Sequence, residues 1–138
     1  MSIYGKRGAS SVELPSSIIY EVGYSKENLD KLEKDMNDKN KKYKNLIFNY
    51  PTVYIVNDEK EKEKYSVYIG ETADIKRRTT EHLAVDTISR KDWKEFSDSK
   101  SSRLLIIGHK YFNKSLTLDI ENRMMQYLTS VETVTKVN

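Results

Sequence analysis

Two short runs, Tyr50–Val56 and Tyr65–Gly70, constrain this 138-residue chain more than any other feature. Both are rich in Val, Ile and Tyr, whose branched or flat side chains suit a pleated strand. Between them lies Asn57–Lys64, which alternates acids and lysines and has no apolar residue, so it reads as an exposed connection. Two strands with a short polar link pair most simply as an antiparallel hairpin. Alternation then puts Val53, Ile55, Val67 and Ile69 on one face, the natural core face. Tyr54 and Tyr68 project together from the other.

The rest of the chain builds a small α/β unit around that hairpin. Met1–Ser17 carries Gly5, Gly8, Pro15 and scattered serines and reads as a flexible arm. Ile18–Val22 is a short strand ended by Gly23. Ser25 caps a charged helix to about Tyr43, with Leu29, Leu32 and Met36 at helical spacing. After the hairpin, a helix capped by Thr72 runs from about Ala73 to about Val85. Ser89–Phe96 is a helical turn whose Trp93 plugs the core. Arg103–Ile107 is a third core strand, and Ser115 or Thr117 opens a last helix through Val131. Thr129–Asn138 trails away. The expected fold is α+β: a small three-stranded antiparallel sheet flanked by helices, with an N-terminal strand and helix in residues 1–49 and the core domain in 50–138.

Composition narrows the chemistry. The longest apolar run, Leu104–Ile107, is far short of the roughly 20 residues a membrane span needs. No secretory signal is visible, so a cytoplasmic setting is expected. The chain has no cysteine and two histidines, which removes thiol nucleophiles and thiolate zinc sites together. A net charge of +3 is a mild bias, so any nucleic-acid contact must come from a local patch.

Several polar residues sit where apolar ones belong. At about 100° per residue, Arg78 and His82 fall between Ile75 and Val85 on the inward arc of their helix. On the last helix Glu121 falls inside the arc of Ile120, Met124, Met125, Tyr127, Leu128 and Val131. Two readings fit: Arg78 and Glu121 form an internal ion pair beside a hydrogen-bonded core histidine, or Glu121 holds a divalent metal. One carboxylate, an arginine, a histidine and two phenols suit Mg²⁺, which keeps its waters and needs one or two protein carboxylates, better than Zn²⁺. The matching chemistry is attack of water on a phosphodiester.

The order Thr52-Val53-Tyr54, Tyr68-Ile69-Gly70, Arg78, His82, Glu121 resembles the GIY-YIG nuclease superfamily from about Tyr50 to the chain end. The resemblance implies a DNA endonuclease using one divalent cation, Mg²⁺ or Mn²⁺, held by Glu121. It implies that Arg78 steadies the scissile phosphate and that Tyr54 and Tyr68 orient the nucleophilic water, either one being the base. His82 would relay a proton or hold a tyrosine. Gly70 belongs to the second motif.

Three positions depart from the family pattern: Thr52 replaces a usual glycine, Glu71 stands where some members have lysine, and the only asparagine shortly after the glutamate helix is Asn138. That ending is what an excised domain of a longer protein would show, with a C-terminal ATPase/helicase-like module as its expected partner. Lys76, Arg77, Arg90, Lys91 and Lys94 are candidate contacts to the DNA backbone, or ordinary solvated surface. Phe112, Asn113 and Lys114 precede the last helix and would either line the site or form a turn, with His109 a further candidate. The alternative function is an inactive domain of this fold that binds nucleic acid or a partner domain.

Overall fold

The computed structural model describes residues 16–137. The N-terminal arm through residue 15 and the candidate Asn138 lie outside the described residues. The elements run β1 (Ile18–Gly23), α1 (Lys26–Lys39), α2 (Lys41–Phe48), β2 (Thr52–Glu61), β3 (Lys64–Thr72), α3 (Ile75–Glu81), a π-helical turn (His82–Asp86), α4 (Thr87–Ser89), α5 (Lys91–Asp98), β4 (Arg103–Gly108), α6 (Lys114–Thr129) and β5 (Val134–Val137). One mixed sheet holds all five strands in the order β1-β4-β2-β3-β5. Every neighbouring pair is antiparallel except β3 with β5.

The expected three strands are the centre of this sheet, and the two edges correct the expectation. β1, from the N-terminal extension, pairs along β4 from Ile18 opposite Gly108 to Gly23 opposite Arg103. β5 forms in the segment expected to trail away and lies beside Tyr65–Val67. Both edge strands are short, so the backbone ladder, which needs no apolar pattern, carries much of their pairing. The same reasoning explains the hairpin link. Asn57–Lys64 continues the ladder instead of looping out, leaving a tight turn in which Glu63 takes φ 62°. Asp58 is buried there and accepts hydrogen bonds from the hydroxyls of Ser99 and Ser101.

Alternation sorts the sheet into two covered faces. Tyr54, Val56, Leu104 and Ile106 lie under Leu29, Met36, Ile47, Phe48, Ile75, Trp93 and Phe96 from the α1, α2, α3 and α5 layer. Val53, Val67 and Ile69 lie under Phe112 and the α6 residues Ile120, Met124, Met125 and Leu128. Fully burying an aliphatic side chain such as Leu104 or Ile106 is worth about 1.5–3 kcal/mol. The tyrosine face is therefore not a half-exposed surface: Tyr54 is 1% exposed.

Helix boundaries shift for local reasons. Asn40 ends α1 and starts α2, its side chain accepting from the Tyr43 N–H, so the single helix expected from Ser25 is broken in two. Asp74, not Thr72, caps α3, while Thr72 accepts from the Asp74 N–H. Asn113 caps α6. Tyr127 lies off the buried stripe of α6, 69% exposed. Among the described residues no helix is long and apolar enough to cross a membrane.

Candidate active site

Tyr54 and Tyr68 come from adjacent strands, with Tyr54 opposite Gly70 and Tyr68 opposite Val56. That register makes them diagonal neighbours on one face, with ring centroids 6.0 Å apart. Gly70 is needed for this. A Cβ built on it would stand 2.5 Å from Cζ and Oη of Tyr54, so the ring crosses its neighbouring strand where a side chain would be. Thr52, at the position of the family's usual glycine, is buried and its hydroxyl donates to the Thr72 carbonyl.

α3 and the wide turn after it bring the next pair. Arg78 is partly buried, lies beside both phenols, which act on it electrostatically, and places Nη1 3.4 Å from Glu81 Oε1. His82 is 1% exposed and puts Nε2 2.8 Å from the Tyr54 hydroxyl. Its ring stacks on Trp93 at 3.5 Å between centroids and 13° between planes. Its other nitrogen, Nδ1, is 2.7 Å from Asp86 Oδ2. The π-helical turn changes the helical phase here: Val85, expected inward, is exposed, and Asp86 turns toward the site.

Burial dominates the electrostatics. It pushes the Tyr54 phenol far up, helped by Tyr68 and opposed by Arg78. It pulls His82 down to about 4, with Asp86 opposing and Arg78 reinforcing, so the imidazole is neutral at pH 7. Burial also raises Tyr24, at the β1–α1 junction, and the Asp86 charge adds to it.

Glu121 stands in the other layer. It lies half-buried on α6, and its carboxyl is raised by burial and then by Glu71, with Lys114 pulling the other way. Glu71 is 8% exposed at its side chain and pairs with Lys114. Among the described residues no salt bridge joins Glu121 to Arg78. The structure thus brings Tyr54, Tyr68, Arg78 and His82 together and sets Glu121 with Glu71 and Lys114. Asn113 is the α6 cap, and Phe112 is packed in the core.

Most of the candidate backbone contacts are engaged by acids. Lys76 pairs with Glu33 and Asp30, Arg77 with Glu81 and Asp74, Arg90 with Asp92, and Lys94 with Asp98. Lys91 is exposed and makes no salt bridge among the described residues. Sequence reasoning passed over Asp86 and the Trp93–His82 stack. The i,i+4 spacing of His82 and Asp86 was the one available signal for the first.

A model of the GIY-YIG catalytic domain matches residues 50–133, from the start of the hairpin to the residue before β5. No curated protein and no solved structure matches the chain. The chain belongs to the GIY-YIG family, whose domains are typically endonucleases.

Proposed function

We propose that this domain hydrolyses DNA phosphodiester bonds with the help of Mg²⁺ or Mn²⁺. The observation that carries the reading is the Arg78 guanidinium beside Tyr54 and Tyr68, with His82 bonded behind Tyr54, in a chain of this family. A guanidinium flanked by two phenols and partly buried on one face presents donors to a phosphate at little reorganisation cost. Tyr54 is fully buried with its hydroxyl engaged, and its raised pKa makes it a poor base. Tyr68, half-buried on the same face, is the phenol that orients the attacking water.

The carboxylates fit a hard divalent cation. Glu121 and Glu71 offer oxygen donors, and Lys114 only partly offsets their charge. No group of three or more His, Asp or Glu side chains forms a ready cage among the described residues. Magnesium held by one or two carboxylates and water needs none. Glu121 would hold it, and the bound cation would offset charge developing on the phosphate. Arg78 shares that task from the other layer, and the exposed Lys91 contributes to backbone contact.

The test is nicking of supercoiled plasmid by the purified protein with Mg²⁺, with Mn²⁺ and with chelator, beside Glu121→Ala. Metal-dependent nicking that disappears in a folded Glu121→Ala variant is expected. Nicking that survives chelator or the variant would refute the metal role. No nicking at high protein and low salt, in the presence of DNA binding, would favour a non-catalytic binding domain.

A further inference from the structure

His82 is a buried side chain whose two polar atoms both meet strongly directional partners. Nε2 faces the Tyr54 hydroxyl at 2.8 Å and Nδ1 faces Asp86 Oδ2 at 2.7 Å. A neutral imidazole has one donor and one acceptor nitrogen, and a carboxylate can only accept. The proton must then sit on Nδ1, and Nε2 must accept from Tyr54. Tyr54 gives its only proton to His82, which leaves its oxygen lone pairs for the N–H donors of Arg78. The direction of both bonds in the line Asp86–His82–Tyr54 follows from the carboxylate at its far end, and it turns the Tyr54 lone pairs toward the neighbouring Arg78.

We propose that Asp86 is a positioning residue: it holds His82 as the Nδ1–H tautomer, so that Tyr54 presents lone pairs to Arg78 and keeps the guanidinium aimed at the phosphate. The catalytic part of this inference rests on the nuclease reading above. The placement is built into the fold. Asp86 closes the π-helical turn that begins at His82, a local widening that tends to mark functional positions. Trp93 stacks on the imidazole and fixes its plane, leaving only the tautomer to be decided. The charged and titratable groups around the ring are Arg78 from α3, Arg90 ahead of α5, Tyr54 and Tyr68 from the sheet and Asp86 itself; Asp86 also acts on Tyr24. Of these, Asp86 is the one anion.

Nitrogen-15 NMR of the histidine rings tests the tautomer without DNA, and the chain has only two histidines to assign. In the unmodified protein at pH 7, His82 is expected to show a protonated Nδ1 and an unprotonated Nε2. The reverse pattern would overturn the proposal. In Asp86→Ala the Nδ1–H signature should be lost or mixed, and an unchanged signature would overturn it equally. Plasmid nicking by that variant should fall about tenfold to a hundredfold, the usual loss when a partner that orients a site ligand is removed. Full activity alongside a changed tautomer would refute the catalytic role. If Asp86→Ala does not fold, Asp86→Leu, which keeps the volume but offers no acceptor, takes its place with the same two outcomes. An Nδ1–H tautomer in a protein that never nicks DNA would count against the nuclease reading while upholding the role of Asp86 at His82.

Discussion

The two sheet faces hold their polar residues in opposite ways. Under α3 and α5, Tyr54 and His82 are almost wholly buried, and each polar atom has a partner within 3 Å. Under α6, Glu121 and Glu71 are two carboxylates beside a single lysine whose side chain is 73% exposed. The first arrangement pairs the polar atoms of Tyr54 and His82 before any substrate arrives, and its cost is met by packing around a stacked Trp93. The second is charged and under-compensated, which suits the cation-holding role proposed for Glu121. Preorganised donors belong where geometry sets the rate, and uncompensated charge belongs where a ligand must be drawn in.

The sharpest way to break the rigid side is Gly70→Ala. The added methyl would stand 2.5 Å from the Tyr54 ring, which is buried and anchored at its far end to His82, so neither side can yield cheaply. A loss of about 3 kcal/mol, the upper end of overpacking costs, is expected in urea unfolding, together with loss of nicking. A variant as stable as the parent would mean that the tyrosine does not cross β3 as described.

A second test uses pH. His82 titrates near 4 in the fold and near 6.5 unfolded, so the unfolded chain takes up the proton first as pH falls. The stability due to neutral burial is present above about pH 6.5 and drains away toward pH 4. From pH 7 to pH 5 the loss attributable to His82 is about 2 kcal/mol. Glu121 works the other way, because its raised carboxyl binds a proton more readily in the fold. Comparing the parent with His82→Gln across that range isolates the histidine. Parallel stability curves for the two proteins would show that the imidazole is not held neutral.

The contrast between the faces also explains what could be read from the chain. Alternation in Val53–Val56 and Val67–Gly70 assigns the faces correctly, since period 2 is a local property of the pleat. Helical phase brings out Arg78, His82 and Glu121 as polar residues on inward arcs. That logic fails at Val85, where a π-helical turn, invisible to any fixed period, rotates Asp86 inward in its place. Distant pairing was likewise out of reach: nothing in Ile18–Gly23 names β4 as its neighbour, and nothing in Val134–Val137 names β3. The burial of Tyr54 depends on the same long-range fact, because Leu29, Met36 and Ile47, from outside the matched residues 50–133, help to cover that face.

The smallest effect probes the loose side. Lys114 pairs with Glu71 and also pulls the Glu121 carboxyl down, so it competes for the charge that a cation would use. Its exposure limits the interaction to a few tenths of a kcal/mol, and folding stability should change by less than about 0.5 kcal/mol in Lys114→Met. Removing the positive charge leaves both carboxylates more available. The Mg²⁺ concentration for half-maximal nicking should therefore fall by about twofold, in line with that energy. The opposite shift, toward more Mg²⁺, would mean that Lys114 works on the DNA phosphate rather than against the cation, which would move it from the carboxylate side of the comparison to the side of Arg78.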